Sequence, residues 1–189
     1  KDLDDLVALE RETGHKVYTV LQLRVHDAIL DLKKKVEAEN RDKFDVNLVY
    51  MTSRGQWYHE SWKGDVRKSG GLSTNIGVHF FDMLTWIFGS SIRLEVHKKT
   101  ATEERGFVEL QRAHVNWSLT IDKKNLPPEA VKTGKTTFRS IQIDGREFEF
   151  SEGFTELHKR VYTDILNGKG YGLEAARPAI QLVEKIRSG

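Results

Sequence analysis

Residues 69–89 place the strongest constraint on how this 189-residue chain can fold. Apolar side chains recur in this stretch at every third or fourth position, and that spacing predicts a helix with one buried face. The apolar positions are Ile76, Phe80, Met83, Leu84 and Ile87. Ser73 or Thr74 can cap the start of such a helix, and Gly89 can end it in a left-handed conformation. We therefore expect this helix to lie in the core.

A row of polar and aromatic residues runs along the neighbouring side of the same predicted helix. The row consists of Asn75, His79, Asp82 and Trp86, which follow one another at helical spacing. These residues can fill the rim of the core, or they can form part of a site. A metal site would need more ligands than His79 and Asp82, but the chain has no cysteine and its other histidines are scattered. We therefore expect no bound metal.

The overall composition fits one globular core and argues against several classes of protein. Hydrophobic residues make up 38% of the chain, charged residues make up 31%, and the net charge is +2. So small an excess of positive charge gives no reason to expect a nucleic acid or an anionic membrane as a partner. No apolar run has the length of a membrane span, and the absence of cysteine fits a reducing compartment. We expect a cytoplasmic protein that binds neither nucleic acid nor membrane.

The order of the predicted elements indicates an α+β (or α/β) fold. Helical periodicity predicts helices over 2–11 and 27–40. β-branched and aromatic residues predict strands over 16–23 and 45–53. After the central helix, alternation of apolar and polar residues between 92 and 151 predicts further strands joined by turns, and two more helices end the chain. We expect an open, mostly antiparallel mixed sheet covered by helices on one face.

The beginning of the chain suggests that it is a piece of a longer protein. It opens with lysine directly in a helical pattern, and Gly14 and a buried strand follow. A helix, a turn and a strand in this order match the last unit of a doubly wound nucleotide-binding domain. We expect residues 1–23 to be the final helix and strand of such a domain, with its earlier part absent from this chain. Residues 24–189 would then form a substrate-binding and oligomerisation domain.

Residues 54–65 combine two tryptophans, a tyrosine, a histidine and an arginine within one polar stretch. Such a cluster can be plain packing of aromatic rings at the rim of the core. It can also form the lip of a substrate pocket, where flat rings pack on a sugar or a base and cations meet phosphate or carboxylate. The candidate substrate contacts here are Trp57, Tyr58, Trp62 and Lys63.

The spacing within residues 70–89 resembles the signature of a dehydrogenase family. The matching positions are Gly70, Gly71, Asn75, Gly77, His79, Asp82, Trp86 and Gly89. This run is similar to the substrate-domain motif of the glucose-fructose oxidoreductase, inositol dehydrogenase and rhizopine-catabolism (Gfo/Idh/MocA) family, whose members use a nicotinamide cofactor. The resemblance implies a C-terminal domain of the glyceraldehyde-3-phosphate dehydrogenase type. It also implies a catalytic lysine, within a Glu-Lys-Pro segment, upstream of Lys1.

Two further stretches resemble the sugar-nucleotide members of this family, in particular the UDP-N-acetylglucosaminuronate 3-dehydrogenases. One stretch is Trp57–Gly64, and the other is the tail at 153–187. The implied reaction oxidises the 3-hydroxyl of a UDP-N-acetylamino-uronic acid to a ketone and passes hydride to NAD, in the synthesis of bacterial lipopolysaccharide O-antigen. The alternatives are a dehydrogenase of a free polyol or aldose, and a non-catalytic sugar-binding or assembly module.

The resemblance also implies roles for single residues. His79 would accept or relay the proton of the sugar hydroxyl, and Asn75, where polyol members often carry Asp, would orient that hydroxyl. Arg24 lies in a segment similar to the family's junction into the substrate domain and would contact the substrate. Asp82 would fix the imidazole or contact the substrate.

The implied cofactor is NAD, but the chain has no Gly-x-Gly-x-x-Gly run that would bind it. NAD would therefore be bound mainly by the preceding half of the protein, and this chain alone would be inactive. Members of the family form dimers and tetramers through the open face of the sheet, which implies a homodimer or homotetramer here.

Overall fold

The computed structural model describes residues 2–149 and 154–189. Helices alternate with strands along this part of the chain. The helices are α1 (Asp2–Thr13), α2 (Asp27–Ala38), α3 (Gln56–Glu60), α4 (Val66–Ser69), α5 (Val78–Phe88), α6 (Pro128–Lys132), α7 (Leu157–Leu166) and α8 (Leu173–Ser188). The strands are β1 (Tyr18–Thr19), β2 (Phe44–Thr52), β3 (Ser91–Lys99), β4 (Glu103–Leu110), β5 (Ala113–Thr120), β6 (Thr137–Ile143), β7 (Arg146–Glu147) and β8 (Tyr171–Gly172). None of the helices in these two ranges is long and apolar enough to cross a membrane.

The main sheet of the described residues has six strands in the order β3-β4-β5-β2-β6-β7. The central strands β2 and β5 run parallel, whereas the neighbouring pairs are antiparallel. This topology confirms the predicted α+β (α/β) class with a mostly antiparallel mixed sheet. The parallel pair is possible because α3, α4, α5 and two strands separate β2 from β5 in the chain, which gives the connection enough length to cross over.

The core lies between this sheet and α5. The rings of Phe81 on α5 and Trp117 on β5 are 5.4 Å apart and perpendicular, and both side chains are buried. Gly77 lets the start of the helix approach the sheet, because a Cβ atom there would lie 2.7 Å from the Phe81 ring and 2.8 Å from Leu119 Cδ1. The absence of a side chain at Gly77 therefore sets how closely the functional row on α5 approaches the ends of the strands.

The first predicted strand is much shorter than expected. Only Tyr18–Thr19 of the predicted range 16–23 forms a strand, and it pairs antiparallel with β8 in a separate two-stranded sheet. The chain then bends into a 3₁₀ turn, Gln22–Val25, whose last three residues are buried. Within the predicted range only Leu23 is buried, and it lies in this turn, so its apolar residues do not form the buried strand that the pattern predicts. The domain boundary at residue 23 stays a prediction.

The start and the end of the central helix also differ from expectation. Neither Ser73 nor Thr74 caps it; instead a π-helical turn, Ser73–Gly77, leads into α5. The Glu104 carboxylate of β4 accepts the backbone N–H groups of Leu72 and Ser73, each at 3.0 Å, and also the Ser73 hydroxyl. Gly89 has φ 87° and ψ 179°, so it has a positive φ but not the left-handed helical conformation that we expected.

The predicted hairpin near residues 138–151 is present in part. Strands β6 and β7 pair around the turn at Asp144-Gly145, but β7 comprises only Arg146–Glu147. Residues 150 and 151 of the predicted second strand lie outside the described residues.

Candidate active site

A cavity of about 250 Å³ opens where the start of α5 meets the ends of β2 and β6. Its walls combine apolar, aromatic and basic groups. The lining residues are Gln22, Leu23, Tyr50, Arg54, Asn75, Ile76, His79, Phe80, Arg139 and Phe154. Two of the predicted site residues, Asn75 and His79, therefore lie in one cavity wall, as their spacing of four on a helical segment requires.

His79 lies in the first turn of α5 and is exposed at the cavity. Burial of the ring among neighbouring protein atoms lowers the pKa of His79 below its ordinary value of 6.5, the Asp82 carboxylate acts in the opposite direction, and His158 lowers it further. The ring is both exposed at the cavity and affected by burial, because an imidazole can reach solvent along one edge while protein surrounds its other sides. A neutral imidazole at neutral pH can accept a proton, which is what a general base requires.

Asn75 lies in the π-helical turn and connects the cavity to the neighbouring surface segment. Its amide nitrogen donates to the backbone carbonyl of Lys63 at 3.3 Å. Burial raises the pKa of the Tyr58 hydroxyl, and a side-chain hydrogen bond with Asn75 opposes that rise. Asn75 therefore has protein partners on the side away from the cavity, and these partners fix its position in the cavity wall.

Arg24 and Asp82 form a buried ion pair behind this wall. Arg24 Nε donates to Asp82 Oδ2 at 3.0 Å, and Arg24 Nη2 donates to Asp82 Oδ1 at 2.6 Å. Burial raises the pKa of Asp82, and the hydrogen bonds and charge of Arg24 oppose that rise. Neither side chain is among the residues that line the cavity. The pair joins the 3₁₀ turn to α5, and the substrate contacts of Arg24 and Asp82 stay predictions.

The predicted pocket lip is an exposed aromatic surface with one buried anchor. Tyr58 is 3% exposed, whereas Trp57 and Trp62 are 55% and 57% exposed. The Lys63 ammonium lies 5.8 Å from the centre of the Trp62 ring and is exposed. Tyr58 packs edge-on against the Trp57 ring at 5.9 Å and thereby fixes the segment next to Asn75. Two exposed tryptophans beside a cavity are typical of a binding surface.

Two arginines, Arg54 and Arg139, line one side of the cavity and were not predicted as site residues from the sequence. Arg139 lies on β6 directly opposite Tyr50 of β2, and both residues line the cavity. Arg54, which we considered only as one member of the aromatic stretch, lines the same cavity. Strand alternation could have indicated Arg139, because it has the same parity as Ile141 and Ile143 and therefore lies on the face of the sheet that the helices cover. The pairing of β6 with β2 was needed to place it beside His79.

The part of the chain that the structure describes contains neither a metal-binding cluster nor the parallel sheet of a dinucleotide-binding domain. Across residues 2–149 and 154–189, no group of three or more His, Asp or Glu side chains is placed to hold a metal ion. Among the described strands of the main sheet, only β2 and β5 pair in parallel, whereas a dinucleotide-binding domain is built on a parallel sheet with a glycine-rich turn.

The sequence and the fold of this chain are similar to those of one kind of oxidoreductase domain. Residues 42–123 match a family model described as the C-terminal alpha/beta domain of an oxidoreductase family, Gfo/Idh/MocA. The WlbA (WbpB) dehydrogenase of Thermus thermophilus matches 98% of this chain, with 50% sequence identity and a TM-score of 0.94. The chain belongs to the Gfo/Idh/MocA family and carries its C-terminal α/β domain.

Other solved structures place this Gfo/Idh/MocA domain within longer proteins. The chain covers 60% of the Thermus thermophilus dehydrogenase in its structure with NAD and alpha-ketoglutarate. It covers 59% in the structure of that dehydrogenase with NAD and UDP-GlcNAcA, at 49% identity over 98% of this chain and a TM-score of 0.92. The WlbA dehydrogenase of Bordetella pertussis, in complex with NADH and UDP-GlcNAcA, is 18% identical to this chain, with a TM-score of 0.78. The match covers 99% of this chain and 64% of the Bordetella chain, and it shows the same fold.

Proposed function

We propose that this chain is the substrate-binding part of an NAD-dependent dehydrogenase that oxidises the 3-hydroxyl of a UDP-N-acetylamino-uronic acid. The observation that carries the proposal is a cavity that combines His79, whose pKa is lowered, with Asn75 and two arginines. The likeness to a dehydrogenase determined with NAD and UDP-GlcNAcA supports the choice of substrate.

In this reaction His79 accepts the proton of the 3-hydroxyl while the hydride on C3 leaves. The O–H bond breaks towards the imidazole, and a ketone forms when C3 loses its hydride, which NAD bound outside the described residues would take up. A neutral imidazole is needed at the start, and burial favours that form because it disfavours the charged one. Asn75 lies one turn before His79 in the same cavity wall, and its side-chain amide would orient the sugar hydroxyl towards the imidazole.

The hydride acceptor in this proposal is NAD, which supplies the oxidising chemistry. The described residues do not fit a dinucleotide site, because they contain neither a parallel nucleotide-binding sheet nor a glycine-rich turn of the required spacing. We therefore place NAD binding in another part of a longer protein, together with the catalytic lysine that the family resemblance implies. The residues of this chain bind and orient the sugar.

The aromatic lip would bind the nucleotide part of the substrate. The exposed rings of Trp57 and Trp62 offer flat apolar surfaces for a base or a sugar, and Lys63 offers a positive charge for a phosphate. The cavity itself is too small for a whole UDP-sugar, since pockets for drug-sized ligands run from about 300 Å³ upward. The sugar ring would enter the cavity, and the UDP would lie along the lip.

The cellular setting and the assembly are part of the same proposal. A dehydrogenase of this substrate would act in the cytoplasm in the synthesis of lipopolysaccharide O-antigen. The outer face of the main sheet, which α5 leaves uncovered, would meet a second copy of the protein in a homodimer or homotetramer. Phe107 and Met51 are half-buried on that face and provide apolar surface for such a contact.

The test uses the full-length protein that contains this chain. NADH formation is followed by absorbance with UDP-GlcNAcA as substrate, for the wild type and for His79→Asn. Loss of a general base lowers kcat by about 10²- to 10⁴-fold, and we expect a fall in that range. His97→Asn is the matched control, because His97 lies on β3, is exposed and does not line the cavity.

Three outcomes would contradict the proposal. Wild-type kcat in His79→Asn would exclude His79 as the base. Turnover of a free polyol or aldose, but not of UDP-GlcNAcA, by the wild-type protein would favour the alternative substrate class, and binding without any turnover would favour a non-catalytic module.

A further inference from the structure

Tyr58 is the buried residue of the aromatic lip, residues 54–65. Its side chain is 3% exposed and is not among the groups that line the cavity. Its backbone N–H donates to the Gly55 carbonyl at 3.0 Å, and its own carbonyl accepts the Ser61 hydroxyl at 2.8 Å. The guanidinium carbon of Arg54 lies 5.9 Å from the centre of its ring. Tyr58 is therefore held on its backbone and on its ring, and it offers almost no surface to a ligand.

Two contacts from the lip hold the side-chain amide of Asn75. Its Nδ2 donates to the Lys63 carbonyl at 3.3 Å, and a second side-chain hydrogen bond joins Asn75 to Tyr58. One hydrogen bond leaves an amide free to turn about that bond, whereas two bonds in different directions define its plane. An amide side chain offers two N–H donors and an oxygen acceptor, so part of its capacity stays open to a ligand. The lip therefore sets the orientation of the Asn75 amide in the cavity wall.

The part of the lip that contacts Asn75 is closed on itself by backbone contacts. A Cβ atom on Gly64 would lie 2.6 Å from the His59 carbonyl oxygen, so the two ends of this loop touch. The N–H of Gly64 donates to the Ser61 carbonyl at 3.1 Å, and the N–H of Lys63 donates to the Ser61 hydroxyl oxygen at 3.3 Å. None of these bonds uses the Tyr58 hydroxyl. Removal of that hydroxyl therefore leaves the loop and the Lys63 carbonyl in place.

The Tyr58 hydroxyl acts as a hydrogen-bonding group and not as a proton acceptor. Burial raises the pKa of this hydroxyl above its ordinary value of 10.0, while the hydrogen bond with Asn75 and the charge of Arg54 oppose the rise. The Glu104 carboxylate acts in the same direction as burial. A hydroxyl with a raised pKa stays protonated at physiological pH, so His79 keeps the role of proton acceptor.

We propose that Tyr58 is a positioning residue for the dehydrogenation: its hydroxyl fixes the amide of Asn75, which in turn holds the sugar hydroxyl against His79. This inference rests on the proposed function, because it assigns a role in the same reaction. The sugar hydroxyl must be aligned with the base for proton transfer, and a misplacement of about 1 Å can lower the rate roughly 10²-fold. Tyr58 therefore acts on the rate of the reaction through Asn75, without touching the substrate.

The experiment is a double-mutant cycle in the full-length protein, with NADH formation from UDP-GlcNAcA as the assay. Tyr58→Phe keeps the buried ring and removes the hydroxyl. We expect kcat and kcat/KM to fall equally, by about 10-fold, as for an interaction that matters in the transition state. In the Asn75→Ala background the same change should lower kcat by less than about 2-fold, because the residue through which Tyr58 acts is gone. Tyr18→Phe is the matched control, since Tyr18 lies on β1, is exposed and does not line the cavity.

Three results of this cycle would overturn the proposal. One is wild-type kcat in Tyr58→Phe. Another is an equal effect of Tyr58→Phe with and without Asn75, which would show that the two residues act independently. The third is a rise in KM with kcat unchanged, which would assign Tyr58 to substrate binding. Thermal melting checks that each variant folds, and Asn75→Ser takes the place of Asn75→Ala if the latter does not fold.

A second measurement separates this proposal from the proposed function. If the wild type does not oxidise UDP-GlcNAcA, the proposed function fails, and the fixing of the Asn75 amide is tested without turnover. NMR of the 15N-labelled full-length protein measures the exchange of the Asn75 side-chain amide protons with solvent. Tyr58→Phe should speed this exchange by about 10-fold, as for loss of one hydrogen bond. Exchange at the wild-type rate would overturn the contact on which the proposal depends.

Discussion

His79 is placed so that opposing effects control its charge. Burial and His158 of α7 disfavour the protonated imidazole, and the Asp82 carboxylate, one turn away on α5, favours it. Asp82 is itself held by two hydrogen bonds from Arg24, so its negative charge is matched by a permanent positive one. The net result is a lowered pKa, which leaves the imidazole neutral at neutral pH.

This balance predicts the pH dependence of the proposed reaction. The base is active when neutral, so kcat/KM should rise with pH through the pKa of His79 and level off at higher pH. Because that pKa is lowered, the acid limb should lie below pH 6.5, the ordinary value for histidine. In His158→Gln the removal of a like charge should move the limb to higher pH, by less than about one unit for an exposed group. A limb above pH 6.5 in the wild type, measured as kcat/KM against pH, would contradict this account.

At the level of elements, β4 determines where the central helix begins. The Glu104 side chain is 3% exposed and accepts the two backbone amides that open the π-helical turn. A carboxylate from a neighbouring strand thus replaces the local side-chain cap that usually begins a helix. The same contact fixes Asn75 and His79 relative to the sheet, because both follow it within two turns of helical backbone.

Replacing Glu104 should therefore destabilise the fold strongly. In Glu104→Ala, the N–H groups of Leu72 and Ser73 lose their acceptors, and we expect the free energy of unfolding to fall by about 2–5 kcal/mol, since each unsatisfied buried donor costs roughly 1–3 kcal/mol. Glu103→Ala is the control, because Glu103 faces the other side of β4 and pairs with Lys98 near solvent, which is worth at most about 1 kcal/mol. Urea denaturation of the full-length protein measures both, and equal losses would contradict the proposed cap.

At the scale of the whole molecule, Arg24 joins segments that are far apart in the chain. Its guanidinium donates to Asp82 on α5 and, at 2.7 Å, to the Ala175 carbonyl in the first turn of α8. It also lies 4.9 Å from the centre of the Tyr171 ring and 5.4 Å from that of Trp86. The start of the chain, the central helix and the last helix therefore meet at one buried cation.

Breaking this contact should destabilise the molecule more than breaking a surface pair. Arg24→Met leaves the Asp82 carboxylate buried without its partner, and we expect a loss of about 3–5 kcal/mol in the free energy of unfolding. Lys34→Met, which removes an exposed pair with Asp31, should cost no more than about 0.5 kcal/mol. Urea denaturation compares the two variants. A loss below 1 kcal/mol in Arg24→Met would show that the pair is dispensable, contrary to this expectation.

Much of the architecture was accessible from the sequence, because periodicity reports burial directly. Helix α2 was predicted over 27–40 and spans Asp27–Ala38, and strand β2 was predicted over 45–53 and spans Phe44–Thr52. The prediction of a buried strand over 16–23 failed, because Val17 and Tyr18 are exposed and the buried Leu23 lies in a 3₁₀ turn. The caps predicted at Ser73 and Thr74 failed because Glu104, which lies 32 positions from Leu72 and 31 from Ser73, supplies the acceptor.

Some relations within the candidate site could be predicted from the sequence, whereas others depend on contacts between distant segments. Asn75 and His79 could be grouped from their spacing, since one helical segment fixes their relation. Arg139 could not be joined to them, because its place beside the cavity follows from the pairing of β6 with β2. Arg24 and Asp82 were found as polar residues, but whether they contact a ligand or each other depends on a contact that spans 58 positions.

Local and non-local interactions explain this division. Residue order alone was enough for features set by neighbours in the chain: the helical row on α5, the alternation of the strands and the motif of the Gfo/Idh/MocA family. Contacts between distant segments decided the rest: the π-helical start of α5, the buried Arg24–Asp82 pair and the basic wall of the cavity. Such contacts form only when chain segments pack together, and the exclusion of water then determines which polar groups become partners and which stay open to a ligand.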